Sequence, residues 1–214
     1  MTTIYISVIA LSFLSSLVSF RLDYAFHLKI FSLLLGLTLI TELLAVHGLH
    51  LLSLKSNLPI YNTFVLVEFW IYVWFFSRIL RNKKILLLTK WFLILFPFLW
   101  LITIVFIFGI NNWNSYIIIT GSAFTVFLSV YYYYELFTSA ELVTLTKKPE
   151  FWIATGLIIF YAGNLPFTGM LNYLASNYKE LAIKLVTVLR VLIIVMYSLF
   201  IYAYLCPINI RKFL

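Results

Sequence analysis

The sequence predicts an all-α polytopic membrane protein, folded as a bundle of seven transmembrane helices. The prediction depends on three observations: the composition, the length of the apolar runs and the shortness of the breaks between them. Of the 214 residues, 64% are hydrophobic and only 10% are charged, whereas soluble domains carry about 25% charged residues. Because a soluble fold of this size leaves much of its surface in water, it could not hide so many apolar side chains. In a lipid bilayer this conflict disappears, because the exposed apolar side chains then face lipid and not water.

Seven apolar runs have about the 20 residues that a membrane-spanning helix needs. They are 4–20, 30–51, 60–80, 85–108, 116–137, 151–174 and 181–205. The runs are too long for barrel strands and do not alternate with turn residues, which disfavours a β-barrel. The first run lacks a basic start and a small-residue cleavage motif, so it is interpreted as a retained helix. We therefore predict a single seven-helix domain over residues 1–214.

Basic residues predict the orientation of this bundle. Short breaks make consecutive helices antiparallel, and seven helices place the termini on opposite sides of the membrane. One set of connections holds three basic residues: Lys55, Lys179 and Lys184. The other set and the C-terminal segment hold ten: Arg21, Lys29, Arg78, Arg81, Lys83, Lys84, Lys147, Lys148, Arg211 and Lys212. Basic residues accumulate on the cytoplasmic side. We predict an external N-terminus and a cytoplasmic C-terminus.

Several functional classes are disfavoured. The net charge of +8 comes from short basic pieces between apolar runs, which suit lipid headgroups and do not form a nucleic-acid-binding surface. Cys206 is the only cysteine, so no thiolate metal site is expected. No phosphate-binding glycine loop, Gly-x-Ser-x-Gly elbow or His-Glu-x-x-His motif is present. The sequence therefore favours a non-enzyme without a cofactor or metal.

Four polar side chains within the apolar runs are the main candidates for function. They are Glu42, Glu68, Asn164 and Arg190. Ionisable groups inside a membrane are costly, so each is by default a functional hypothesis. Their depths predict one cluster, with Arg190 paired to a carboxylate and the other carboxyl available to a ligand. The alternative is a purely structural ion pair that sets helix register.

Tyrosines at helical spacing predict a pocket around this cluster. Tyr61 lies two turns before Glu68, and Tyr72 lies one turn after it, so they share a face. Tyr161 is a third candidate wall residue. We expect a cavity between the second, third, sixth and seventh helices, open to the outer face. For tyrosines and for Trp113, the competing interpretation is an interfacial aromatic belt.

Two histidines lie at the outer end of the second helix. His47 and His50 are three residues apart, but no third ligand accompanies them, so a zinc site is disfavoured. Because imidazole titrates near physiological pH, they are candidates for a pH-sensing rim.

Two segments carry a family resemblance. They are Tyr61-Asn62-Thr63-Phe64 continuing to Glu68-Phe69, and 151–156 continuing to Tyr161-Ala162-Gly163-Asn164. With the chain length, they resemble short seven-helix bacterial inner-membrane proteins of uncharacterised function. The resemblance implies a multi-pass protein of the cell inner membrane and brings no activity with it.

Together these features predict a sensor or receptor-like module that binds a small or lipophilic ligand and signals through a separate protein. A small transporter or an ion or proton channel is the first alternative, with Glu42 and Glu68 on its path. An accessory subunit of a larger membrane complex is the second, since fold alone does not decide function. The oligomeric state is left open.

Overall fold

The computed structural model describes residues 2–51, 56–138 and 142–211 and is all-helical within these ranges. The helices are α1 Thr2–Ser16, α2 Val18–Arg21, α3 Phe26–Leu51, α4 Leu58–Ile79, α5 Lys83–Ile102, α6 Ser115–Thr138, α7 Pro149–Asn177 and α8 Lys179–Arg211. A π-helical segment, Thr103–Phe108, continues α5, and a 3-10 segment, Leu142–Lys147, precedes α7.

The prediction of an all-α fold with seven apolar helices of membrane-spanning length is confirmed. Within the described ranges, seven helical segments are long and apolar enough to cross a membrane. The first consists of α1 and α2 together, and α3 to α8 supply the others. Observed helices extend beyond the predicted runs, as where α3 begins at Phe26 instead of Ile30. Pro149 begins α7, where its missing N–H removes no intrahelical hydrogen bond.

Six of the seven segments form a ring. Around it, α1 packs against α3, α3 against α4, α4 against α6, α6 against α7, α7 against α8, and α8 against α1. Helix α5 lies outside the ring, against α4, with Phe92 stacked on Phe124 of α6. Much of α5 is exposed and apolar, including Leu88, Leu95 and Phe98, which suits a helix that faces lipid.

Glycines allow two of the ring contacts to be close. A Cβ on Gly156 would lie 2.9 Å from Cε1 of Phe200 and 3.2 Å from the backbone oxygen of Met196. A Cβ on Gly121 would overlap the Phe69 ring. Small residues let helix backbones approach closely inside membranes, where packing must stabilise association.

The two ends of the ring carry different connecting segments. We call the end at which α1 begins the N-terminal end; it also carries residues 109–114, between the π-segment and α6. The opposite end carries the α2–α3, α4–α5 and α6–α7 connections. At that opposite end a hydrogen bond of 2.8 Å between Nε2 of His27 and Oε1 of Glu150 joins α3 to α7.

Candidate functional site

A polar cavity of about 160 Å³ lies inside the ring, toward its N-terminal end. All six ring segments contribute to it, from Ile9 of α1 to Tyr197 of α8. Its polar lining residues are Thr38, Glu42, Tyr61, Glu68, Trp113, Tyr161, Asn164 and Tyr197. Five of the predicted site residues, from three different helices, thus line one cavity: Glu42, Tyr61, Glu68, Tyr161 and Asn164.

Helical periodicity explains why these residues face inward together. The lining positions of α4 are 61, 64, 65, 68 and 69, which form one stripe along a helix. Thr38 and Glu42 of α3 are four residues apart, and Tyr161 and Asn164 of α7 are three residues apart. Both spacings correspond to about one helical turn. Helices α3, α4 and α7 therefore each direct one stripe that includes polar side chains toward the ring's interior.

Two tyrosine hydroxyls hold the Glu42 side chain. Tyr5 donates to Oε2 of Glu42 at 3.0 Å, and Tyr61 donates to the same oxygen at 3.2 Å. Tyr5 is buried on α1, which sequence reasoning did not include in the site. These bonds join the first, second and third spans through one carboxyl group.

Glu68 lies in a second group of tyrosines. Tyr72 donates to Oε1 of Glu68 at 3.1 Å, and Tyr161 lies close enough to interact with the same carboxyl. Tyr72 and Tyr161 are each 2% exposed, and their ring centroids are 5.8 Å apart. Glu42 and Glu68 also lie within electrostatic range of each other. Tyr72 thus holds the Glu68 carboxyl group by a hydrogen bond. It does not line the cavity, contrary to the expectation that it would be a wall residue.

Arg190 does not form the expected ion pair. In the described part of the structure, Arg190 has no carboxylate oxygen within 4.0 Å. Arg190 is half-buried, lies outside the cavity lining, and has Tyr5 within electrostatic range. Tyrosine hydroxyls already donate to one oxygen of each carboxyl group, and neutral donors cost less to bury than a guanidinium.

Trp113 lines the cavity at its N-terminal end, within a hydrogen-bonded loop. Asn62 is 2% exposed; its Nδ2 donates to the backbone oxygens of Ile110 and Asn112, each at 2.8 Å. Its own backbone oxygen accepts the Trp100 indole N–H at 2.7 Å. Gly109 begins the loop at φ +72, a conformation that glycine adopts at little cost. The Trp113 indole N–H is buried without an acceptor.

A layer of phenylalanine rings lies beneath the cavity. Phe31, Phe75, Phe76 and Phe200 are all fully buried. Phe31 lies 5.3 Å from Phe75 and 5.2 Å from Phe200, measured between ring centroids. Phe75 follows Glu68 by two helical turns, about 10 Å along the axis, toward the opposite end of the ring. The layer separates the carboxyl groups from that end with purely apolar rings.

A second cavity, of about 390 Å³, lies at the opposite end and is lined partly by Arg81, Glu135, Lys148 and Glu150. Its acidic residues already have structural roles. Glu135 accepts the backbone N–H groups of Arg81 and Asn82, each at 2.9 Å, at the start of α5, and Glu150 pairs with His27. We therefore take the first cavity as the candidate site.

The remaining predicted site residues are the two rim histidines. The side chains of His47 and His50 lie outside the described part of the structure, so the hypothesis of a pH-sensing rim stays a prediction. Sequence reasoning missed Thr38, Tyr197 and Tyr5. The available signal for Thr38 was its spacing of one turn from Glu42.

The fold and the cavity together are those of a multi-pass α-helical membrane protein with a polar site inside its bundle. No protein-family model, curated protein or solved structure matches the chain.

Proposed function

We propose that this protein is a membrane-embedded sensor or receptor-like module that binds a small ligand in the polar cavity of its ring. The proposal includes the predicted orientation, with the N-terminal end external and the C-terminus in the cytoplasm of a bacterial cell. It also includes a separate partner protein that reads the state of the bundle. The ten-to-three distribution of basic residues supports the orientation.

One observation carries the proposal: the cavity has polar lining from several helices, and the phenylalanine layer packs between it and the opposite end of the ring. Binding sites combine apolar walls with a few convergent polar groups. A conducting pathway would need polar groups or water from one face to the other, whereas the fully buried rings of Phe31, Phe75, Phe76 and Phe200 pack between the cavity and the opposite end. A site with one closed end favours binding over conduction.

Proton transfer is the second candidate function, because buried carboxyl groups that interact with each other are typical of proton relays. Glu42 and Glu68 have this arrangement. Against it, the rings of the phenylalanine layer lie between the tyrosine hydroxyls around Glu68 and the titratable groups of the opposite end, His27 and Glu150.

A flux measurement distinguishes the two functions. The purified protein is reconstituted in liposomes that contain a pH-sensitive dye, and a proton gradient is imposed. We expect proton entry at the rate of protein-free liposomes, because the phenylalanine layer blocks transfer beneath Glu68. Glu180→Gln, at the exposed start of α8, is the control variant. Conduction would be established instead if the protein carried a proton flux that Glu68→Gln abolished and Glu180→Gln retained.

A further inference from the structure

We infer that the ligand of this cavity is a compact organic cation, an alkylated ammonium compound that carries a hydrogen-bond acceptor. The inference rests on the proposed binding function and specifies the chemical class of its ligand. Charge, wall chemistry, size and one unmatched donor each contribute to it.

The charge of the lining comes first. Glu42 and Glu68 both face the cavity, and no lysine, arginine or histidine is among its described lining residues. Both tyrosine donors use Oε2 of Glu42, which leaves Oε1 available to a ligand. In surroundings of low polarity, two neighbouring carboxylates require a positive charge or protons for neutrality. A cationic ligand supplies that charge, and an anionic one would add a third negative charge.

The walls suit an organic cation better than a metal ion. Aromatic rings of Phe64, Phe69, Phe160 and Trp113 surround the carboxyl groups. Ring faces attract ammonium groups, most strongly where water is excluded. Calcium and magnesium instead take about six or more oxygen ligands, and no cluster of three or more candidate metal ligands occurs in the described ranges. The mixture of carbon walls and few oxygens therefore matches N-alkyl groups.

Size and hydrogen bonding narrow the class further. A cavity of about 160 Å³ is smaller than the roughly 300–1,000 Å³ of pockets for drug-sized ligands, so the cation has few heavy atoms. The buried Trp113 indole N–H lacks an acceptor, which is costly for a buried donor. A hydroxyl or carbonyl oxygen on the ligand would satisfy it. Small amino alcohols and their esters combine these features.

Choline and its uncharged carbon analogue, 3,3-dimethylbutan-1-ol, test the inference because they differ mainly in charge. The native protein in lipid nanodiscs is titrated with each compound, with potassium chloride, and with the anion 3,3-dimethylbutyrate. Tryptophan fluorescence reports binding, and Trp113→Phe identifies the part of the signal that arises at the cavity. We expect choline to bind saturably. The neutral analogue should bind at least about tenfold more weakly than choline.

Variants link binding to the carboxyl groups. Glu42→Gln and Glu68→Gln are each expected to weaken choline binding at least about tenfold, while Glu180→Gln leaves it unchanged. Thermal unfolding of each variant, followed in the same nanodiscs, separates lost binding from lost folding.

The other outcomes overturn the inference in distinguishable ways. Equal or tighter binding of the neutral analogue or of the anion would contradict a cationic ligand but leave the ligand-binding proposal intact. The same signal from potassium chloride would replace the organic cation with an inorganic one. Absence of binding by every probe would also overturn the inference. Failure of the proposed function itself would be seen separately, as proton flux through Glu68.

Discussion

Gly121→Val is expected to destabilise the bundle by about 1–3 kcal/mol or more, the usual effect of overpacking a core. A Cβ at this position of α6 would lie 2.6 Å from Cε2 of Phe69 and nearer still to two other ring carbons. Phe69 cannot move aside easily because it is 1% exposed and its ring packs against Phe96 and Tyr161. Thermal unfolding in detergent, followed by the loss of monodisperse protein, measures the effect.

Two further variants make this result specific. Gly169→Val on α7 is the matched control, since no atom lies within 4 Å of a Cβ there. Phe69→Ala alone should cost about 3–5 kcal/mol by leaving a cavity, yet combined with Gly121→Val it should cost less than the sum of the two. Equal effects of valine at Gly121 and Gly169, or strict additivity with Phe69→Ala, would contradict the described contact between α4 and α6.

Asn62→Asp is expected to destabilise the N-terminal end of the ring as strongly. The change replaces the amide N–H donors that bond the backbone oxygens of Ile110 and Asn112 with a carboxyl oxygen. Each buried acceptor left without a donor costs about 1–3 kcal/mol, and oxygen then faces oxygen. Because this loop holds Trp113 over the cavity, we expect a lower unfolding temperature and faster amide hydrogen exchange in residues 109–114.

Asn111→Asp is the matched control for this prediction. Asn111 lies in the same loop and is exposed, so the same chemical change there should leave both measurements near those of the native protein. If Asn62→Asp and Asn111→Asp behaved alike, Asn62 would not be holding the loop.

The sequence was sufficient for the helices and for part of the site. Apolar runs define the spans because a membrane requires about 20 such residues in each. The cost of ionisable groups in lipid singled out Glu42 and Glu68, and the structure brings both to one cavity with Asn164, Tyr61 and Tyr161. These predictions needed only residue type and depth.

The rest depended on which helices are neighbours, and the sequence does not contain that information in a readable form. Tyr5 reaches Glu42 because α1 packs against α3 and α8. The first span therefore belongs to the site, although its only residue in the cavity lining is the apolar Ile9. The predicted Arg190 pair failed for the same reason. An arginine at the expected depth can face a side of its helix that the carboxyl groups do not reach. Trp113 was missed because a loop tryptophan is equally typical of an interfacial belt.

Chemical labelling of one engineered cysteine tests the central claim most directly. Asn164→Cys, in a Cys206→Ser background, places a thiol in the cavity lining. Ser129→Cys in the same background is the control, since Ser129 of α6 is fully buried and lies outside that lining. We predict that a small membrane-impermeant cationic thiosulfonate, added to intact cells, modifies Cys at position 164 but not at 129, and that choline slows the modification. Modification of position 164 only in inside-out vesicles would contradict the orientation. No modification from either side would contradict a ligand cavity open at the N-terminal end.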